Sequence, residues 1–379
     1  MKIYWVGNTS IPLSETFVID TLQRLKNIGE VEGLCGMIPS SAVDIPFFVE
    51  KFSNPKERLH EKLVRKLIGR NVYYRRIDRA FGRRTKGLFN GESDAIVYLE
   101  FGSTAALLSE SMMASELKYY VAVHGIDLTA MMQIEEYRTR FVQACVHPNC
   151  GGVICASQHT KRLAILAGIP QQKCHVIRYA LDGVALCRNS DIVKTEQPSF
   201  VHLGRLTEKK HPLATLEAFR LLIAKVPNAT LTFIGEGPMK HELEKRIAAN
   251  CLSDSVSVKG AMPHAEAMRY VQSQWVFVQH SVTARNGDQE GFAISPAEAA
   301  LMELPVVSTI HNGIPEHVID GETGFLVPEY DYHSMAAKMK VLAESPSLRE
   351  RFGKNGRKNI IQLCSPETRD VELKRLLKP

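Results

Sequence analysis

Short apolar runs alternate with longer amphipathic stretches along nearly the whole chain, and this alternation limits the fold more than any other feature. Residues 2–7 read as a strand. Ser14 then reads as a helix N-cap, with Phe17, Val18, Leu22 and Leu25 following at helical spacing. Gly29 closes that helix, and residues 31–36 make the next strand. This is a β-α-β opening, the start of a doubly wound parallel sheet. The same rhythm gives strands at 94–100, 119–123, 152–156 and 176–179. A polar stretch, 188–199, contains Pro198 and reads as an interdomain linker. A second series follows it, with strands at 199–204, 229–234, 256–258, 275–278, 305–309 and 324–327. A chain of 379 residues has the length for two domains. The expected class is α/β, with two Rossmann-like doubly wound domains facing across a cleft. The expected domains are 1–190, 199–360 and a charged helical segment, 361–379, packing back toward the first.

Several function classes are disfavoured. No G-x-G-x-x-G follows the first strand, which counts against a dinucleotide-dependent dehydrogenase. No apolar run reaches the roughly 18 residues of a membrane-spanning helix. The first apolar run stops at Gly7-Asn8-Thr9-Ser10, too short for a signal peptide. A cytoplasmic protein is expected. The eight cysteines are scattered and are expected to be reduced thiols. Cys145, His147, Cys150 and Cys155 lie close together, but they lack a C-x2-C pair and do not read as a zinc site.

The net charge of +6 is uneven. Residues 51–90 hold thirteen Lys or Arg and three Asp or Glu, a local +10, so the remainder sums to −4. Leu59, Leu63, Leu67 and Ile68 mark an amphipathic helix with a basic face. Tyr73, Tyr74, Ile77 and Phe81 then interleave with arginines. Docking on an anionic membrane surface is the favoured reading, on the inner face of the membrane. A solvated surface helix is the plain alternative, and nucleic-acid binding is disfavoured.

In open α/β sheets ligands bind at the carboxyl ends of the strands. His124, followed by Gly125, stands at such an end, and so does Arg205, with Lys210 five residues on. Residues 287–300 read as a tight polar loop entering a helix. Ser295 is the expected N-cap, Pro296 the first helical residue and Glu298 the capping-box partner. A helix N-terminus reached through such a loop is an anion site. Glu290 and Glu298 flank it, and carboxylates accept hydrogen bonds from sugar hydroxyls. A phosphate site bracketed by two hydroxyl acceptors suits a nucleotide-sugar, although Glu298 would also serve as an ordinary helix cap.

These residues resemble the retaining family-4 glycosyltransferases of the GT-B architecture. The matching pieces are Gly204-Arg205-Leu206 with Lys210, Ile234-Gly235-Glu236-Gly237-Pro238, and the Glu-x7-Glu pair Glu290 and Glu298. Leu304 to Thr309, Gly313-Ile314-Pro315-Glu316 and Asp320 to Pro328 continue the match. Ser14-Glu15-Thr16-Phe17 and His124-Gly125-Ile126-Asp127 add to it in the first half. The stretch 281–290 is similar to the subgroup that builds bacterial exopolysaccharide and lipopolysaccharide sugars, of the colanic-acid type.

The resemblance implies an acceptor-binding first domain and a nucleotide-sugar-binding second domain. Arg205 and Lys210 would bind the donor diphosphate beside Gly204. Glu290 would hold donor-sugar hydroxyls, with Gly291, Phe292 and Ala293 lining sugar and phosphate. Glu298 would take the ribose, and His124 would stand near the transferred sugar. Glu316 is a further candidate on the donor half. Ser14, Glu15, Thr16 and Asp127 would lie on the acceptor side. No cofactor and no metal are implied, in keeping with the lack of an Asp-x-Asp motif. Family members often carry Gly where this chain has Ala180, His211 and Asn312. The expected partners are a nucleotide-sugar donor and a saccharide or lipid-linked acceptor. Rival readings are a nucleotide-sugar epimerase and a non-enzymatic basic protein binding nucleic acid or membrane.

Overall fold

The apolar runs pair into two parallel sheets. A computed structural model describes residues 1–7, 16–35, 47–49, 75, 78–79, 94–181 and 191–378. Its first sheet contains β1 (Lys2–Gly7), β2 (Glu30–Cys35), β3 (Phe47–Val49), β4 (Ala95–Glu100), β5 (Lys118–Val123), β6 (Cys150–Cys155) and β7 (Cys174–Val176). Their order is β3-β2-β1-β4-β5-β6-β7, parallel throughout. The second sheet contains β8 (Ser199–Leu203), β9 (Thr230–Ile234), β10 (Val256–Val258), β11 (Val276–Val278), β12 (Val306–Thr309) and β13 (Gly324–Val327). Their order is β10-β9-β8-β11-β12-β13, again all parallel. The order reverses between β1 and β4 and between β8 and β11. These are the two topological switch points, where doubly wound sheets hold ligands.

The strands are continuous apolar runs because helices cover both faces. In the first sheet Tyr4, Val6, Val97, Leu99, Tyr119 and Val121 face one layer, packed with Tyr137 and Phe141. Ile3, Trp5, Ile96, Tyr98 and Tyr120 face the other, against Val18, Leu22 and Leu25 of the helix Thr16–Ile28. That is the two-residue period of a strand meeting the 3.6-residue period of a helix. In the second sheet Phe200, Leu231, Phe233, Val276 and Val307 pack with Leu216, Phe219, Met335 and Met339. Each such buried side chain contributes roughly 1.5–3 kcal/mol.

Met1–Arg178 with Glu367–Pro379 make one unit, and Tyr179–Pro366 make the other. The sequence places these borders at 190/199 and 360/361 instead. The helix Pro366–Leu377 belongs to the first unit because its buried face is built for it. Leu373 and Leu377 enter the Ile3–Trp5 layer. Arg369 donates to the Arg178 carbonyl and to Thr21 Oγ1, and Arg24 pairs with Asp370 at 2.8 Å.

Two strands differ from expectation. β3 has no counterpart in the sequence reading, being only three residues long. β7 covers 174–176 rather than 176–179, although Ile177 still donates to the Cys155 carbonyl. The basic stretch 51–90 lies outside the described residues except at Arg75, Asp78 and Arg79. Asp78 is fully buried and accepts the backbone N–H groups of Glu110 and Ser111 at the start of the helix Ser109–Ala114. Arg140 Nη2 lies 2.6 Å from its carboxylate. Cys145, Cys150, Cys155 and Cys174 are buried thiols, and burial pushes each of them up in pKa. Among the described residues no His, Cys, Asp or Glu cluster is arranged to hold a metal, and no helix is long and apolar enough to cross a membrane.

Candidate active site

In the second unit the loops after β8 and β9 touch backbone to backbone. Gly235 has φ +139, and a Cβ there would lie 2.0 Å from the Gly204 carbonyl oxygen. A Cβ on Gly237 would lie 2.4 Å from the Leu206 carbonyl oxygen. Only glycine permits this approach, and it fixes where Arg205 leaves β8. The chain then makes one turn of 3-10 helix, Glu208–Lys210, and reverses at His211 with φ 40. His211 caps the helix Pro212–Ile223, its Nδ1 accepting the Ala214 N–H at 3.0 Å. A left-handed backbone is one that glycine adopts without strain, in keeping with the glycine that the resemblance implies at this position. His211 therefore serves the helix as its N-cap. Asn312 also has positive φ, whereas Ala180 does not.

Lys210 is the centre of the second unit's charge. Its Nζ lies 3.1 Å from Glu290 Oε1, and Lys209 lies 3.1 Å from Asp288. The Lys209 carbonyl accepts the Val282 N–H. Two consecutive lysines thus stitch the 282–290 loop to the turn after β8. Burial lowers the pKa of the Lys210 ammonium, with Glu290 opposing the shift. Burial would raise the Glu290 carboxyl, but Lys210 and Lys209 overcome it and hold it down at about 2. Apart from the Lys210 ammonium at 3.1 Å, Oε1 of this buried carboxylate meets no hydrogen-bond donor. Buried carboxylate oxygens are ordinarily saturated, so one with a single cationic neighbour has capacity left to accept from a ligand.

The helix after the loop corrects the sequence reading. It runs Ile294–Leu301, and its N-cap is Ala293 in a left-handed conformation, φ 61, with no side-chain cap. Ser295 lies inside the first turn, where its Oγ donates to Gln279 Oε1 at 3.3 Å. Glu298 lies in the second turn and cannot close a capping box. Its Oε1 lies 2.7 Å from Nε2 of His264, the first residue of the helix His264–Ser273. The uncapped helix N-terminus, reached through Gly291 and Phe292, keeps the polarity of an anion site.

Residues 311–317 support this loop from behind. His311 Nε2 accepts the Glu290 N–H at 3.2 Å. Asn312 Nδ2 donates to Gln289 Oε1 at 2.8 Å. His317 Nε2 donates to the Phe292 carbonyl at 2.6 Å. A Cβ on Gly313 would lie 2.2 Å from the Gly291 carbonyl oxygen. Phe292 is buried between Tyr179 and His317. Glu316 ends the short turn Ile314–Glu316.

The first unit carries its own polar cluster at the switch point beside β1. His124 follows β5, and its Nε2 lies 2.9 Å from Glu100 Oε1 at the end of β4. Trp5 Nε1 donates to Glu100 Oε2 at 3.2 Å. The His124 ring stands between Phe17 and Phe101, with centroids 4.8 and 4.5 Å away. Phe101 has φ 71, a strained conformation of the kind that gathers at functional sites. Asp127 is buried, and its two oxygens accept the N–H groups of His124 and Ser103. It shapes the loop rather than facing an acceptor. Thr16 opens the helix Thr16–Ile28, while Ser14 and Glu15 lie outside the described residues.

Glu100, His264, His311 and Glu329 are polar residues at these clusters that the sequence reading did not select. Glu100 closes β4 and His311 follows β12, so the rule that selected His124 applies to them too. His264 and Glu329 carried no signal, because their partners are brought together only by the fold.

Two parallel-sheet units of this topology are the GT-B fold. It is shared with Anabaena HepE in complex with UDP and glucose, at TM-score 0.78 with 17% identity, covering 99% of this chain and 98% of that one. Sucrose-phosphate synthase from Thermosynechococcus elongatus aligns at TM-score 0.77 with 16% identity over 99% and 98%. Residues 188–359 match the family model "Glycosyl transferases group 1". The chain is 28% identical over 251 residues to the amylovoran biosynthesis glycosyltransferase AmsK of Erwinia amylovora, 66% of this chain and 61% of that protein. It is 30% identical over 243 residues to the putative colanic acid biosynthesis glycosyltransferase WcaL of Escherichia coli, 64% and 59%. The alignments thus span about three fifths of the length of these relatives.

Proposed function

We propose that the chain is a glycosyltransferase of cell-surface polysaccharide biosynthesis that moves a sugar from a nucleotide-diphosphate donor to a saccharide or lipid-linked acceptor. The observation that carries this reading is the buried Glu290 carboxylate, held ionised by Lys210 as its one side-chain partner and lying beside an uncapped helix N-terminus. An ionised acceptor next to an anion site suits a sugar joined to a diphosphate. Arg205 and Lys210 supply fixed positive charge for the leaving diphosphate, a preorganised form of stabilisation. Lys210 would then exchange its Glu290 partner for phosphate and leave both Glu290 oxygens to the sugar hydroxyls. Glu298 would take the ribose from its place in the second turn.

Configuration at the anomeric carbon is retained in this reading, and the leaving phosphate acts as base for the incoming hydroxyl. Neither Glu290 nor Glu298 is then a general acid or base. Two fixed cations do the work that a metal would otherwise do, so transfer should survive EDTA. The relatives' printed roles in amylovoran and colanic acid biosynthesis support the polysaccharide assignment. The test is turnover of a nucleotide-sugar panel with lipid-linked and saccharide acceptors, comparing wild type with Glu290→Ala and Arg205→Ala. Each variant should lose on the order of a hundredfold, the scale of removing one preorganised charge stabiliser. Turnover equal to wild type in both would sink the assignment.

A further inference from the structure

His311 and Glu329 lie outside the residues assigned above to the donor, yet their geometry is directed at the loop that carries Glu290. The His311 side chain is fully buried. Two N–H donors converge on its Nε2: the Glu290 backbone at 3.2 Å and Asn312 Nδ2 at 3.0 Å. An atom receiving two donors is a lone pair, so the ring proton is on Nδ1. Nδ1 faces Glu329 Oε1 at 2.6 Å, and Glu329 Oε2 accepts the Thr283 N–H at 3.0 Å. Glu329 thus fixes the tautomer, the tautomer makes Nε2 an acceptor, and the acceptor fixes the Glu290 peptide. The same carboxylate ties down residue 283, at the other end of the loop.

We propose that His311, held by Glu329, is a positioning residue that sets Glu290 for the donor sugar and so determines how well the site distinguishes a nucleotide-sugar from its parent nucleoside diphosphate. This rests on the donor reading of Glu290. The peptide N–H is one bond from the Glu290 Cα, so a shift of that peptide moves the carboxylate with it. The turn after β8 has anchors of its own in the Gly235 and Gly237 contacts, besides the lysine pairs that join it to the loop, and these hold Arg205 and the turn in place. Diphosphate affinity should therefore be spared when His311 is changed, whereas sugar discrimination should not.

The experiment is calorimetric titration with UDP-glucose, UDP-galactose, GDP-mannose, UDP and GDP, using wild type, Glu290→Gln, His311→Leu, His311→Gln, Glu329→Leu and Glu329→Gln. Wild type should bind one nucleotide-sugar more tightly than its diphosphate, and Glu290→Gln should lose that preference. If wild type shows no such preference, or Glu290→Gln keeps it, the donor reading falls and this inference with it. His311→Leu removes the acceptor and should weaken the nucleotide-sugar by roughly tenfold to a hundredfold, the range for an orphaned buried N–H, with the diphosphate changed less than about threefold. Glu329→Leu should follow it. Glutamine at 311 can place an amide oxygen near the Nε2 position, and glutamine at 329 still accepts from Nδ1, so both should recover most of the discrimination. Equal weakening of sugar and diphosphate in His311→Leu, or unchanged discrimination there, would overturn the inference. So would a glutamine variant no better than its leucine counterpart.

Discussion

Glu290 and Lys210 illustrate how single residues carry the charge of this site. A carboxyl held at about 2 in the folded protein, against an ordinary 4.5, contributes stability above pH 4.5 that is lost as pH falls toward 2. Lys210→Met leaves that carboxylate buried and unpaired, and should destabilise the second unit by about 3–5 kcal/mol in urea unfolding. Adding Glu290→Gln should recover most of the loss; a double variant as unstable as the single one would show that the pair is not coupled. His264 behaves oppositely. Its hydrogen bond to Glu298 outweighs desolvation and raises its pKa above the ordinary 6.5. The pair's contribution is therefore fully present below about pH 6.5 and fades as pH rises through the raised value. The imidazole resonances of His264, followed by NMR against pH, should titrate higher in wild type than in Glu298→Gln.

At the scale of elements, most strands were legible as short, largely apolar runs ended by glycine or a polar residue, whereas the three-residue β3 was not and β7 was displaced. The start of the 294–301 helix was not. Ser295, Pro296 and Glu298 form a plausible capping signature, but Ala293 takes the left-handed conformation and the helix begins two residues earlier than that signature implies. Nothing in the residue type alanine announces such a backbone. Strand-end logic located Arg205 and His124, yet His264 and Glu329 meet their partners only through long-range packing, which one-dimensional spacing does not encode. The glycines after β8 and β9 offer a sharper test. Gly235→Ala should cost about 3 kcal/mol, since its Cβ would strike the Gly204 carbonyl and its φ is left-handed. The same change should weaken diphosphate binding through Arg205, and a variant with wild-type stability would contradict the close approach. The membrane proposal for residues 51–90 is checked by flotation with anionic vesicles at low salt, where wild type should co-float and a charge-neutralised segment should not.

Over the whole molecule, each unit has its own core, and the chain crosses between units twice. The helix Pro366–Leu377 is the last piece of the first unit's core, supplied from the far end of the sequence. Leu373→Ala should lower the first unit's stability by about 2–5 kcal/mol, read by calorimetry, and leave nucleoside diphosphate binding to the second unit intact. The two-domain α/β architecture was legible because the β-α rhythm restarts after a polar stretch. The unit borders were not, because they depend on which core a helix joins, and helices 346–363 and 366–377 each carry six charged side chains in sequence.

A second unit that is a nucleotide-sugar donor site must bind nucleotide-sugars and nucleoside diphosphates in the native state. The most direct measurement is the thermal midpoint of the purified chain against a panel of nucleotide-sugars and nucleoside diphosphates, since a ligand that binds only the native state raises it. The account predicts that at least one nucleotide-sugar and its parent diphosphate raise the midpoint in wild type, and that Arg205→Ala abolishes the rise. A midpoint unmoved by every member of the panel at roughly a hundredfold above micromolar affinity would contradict it.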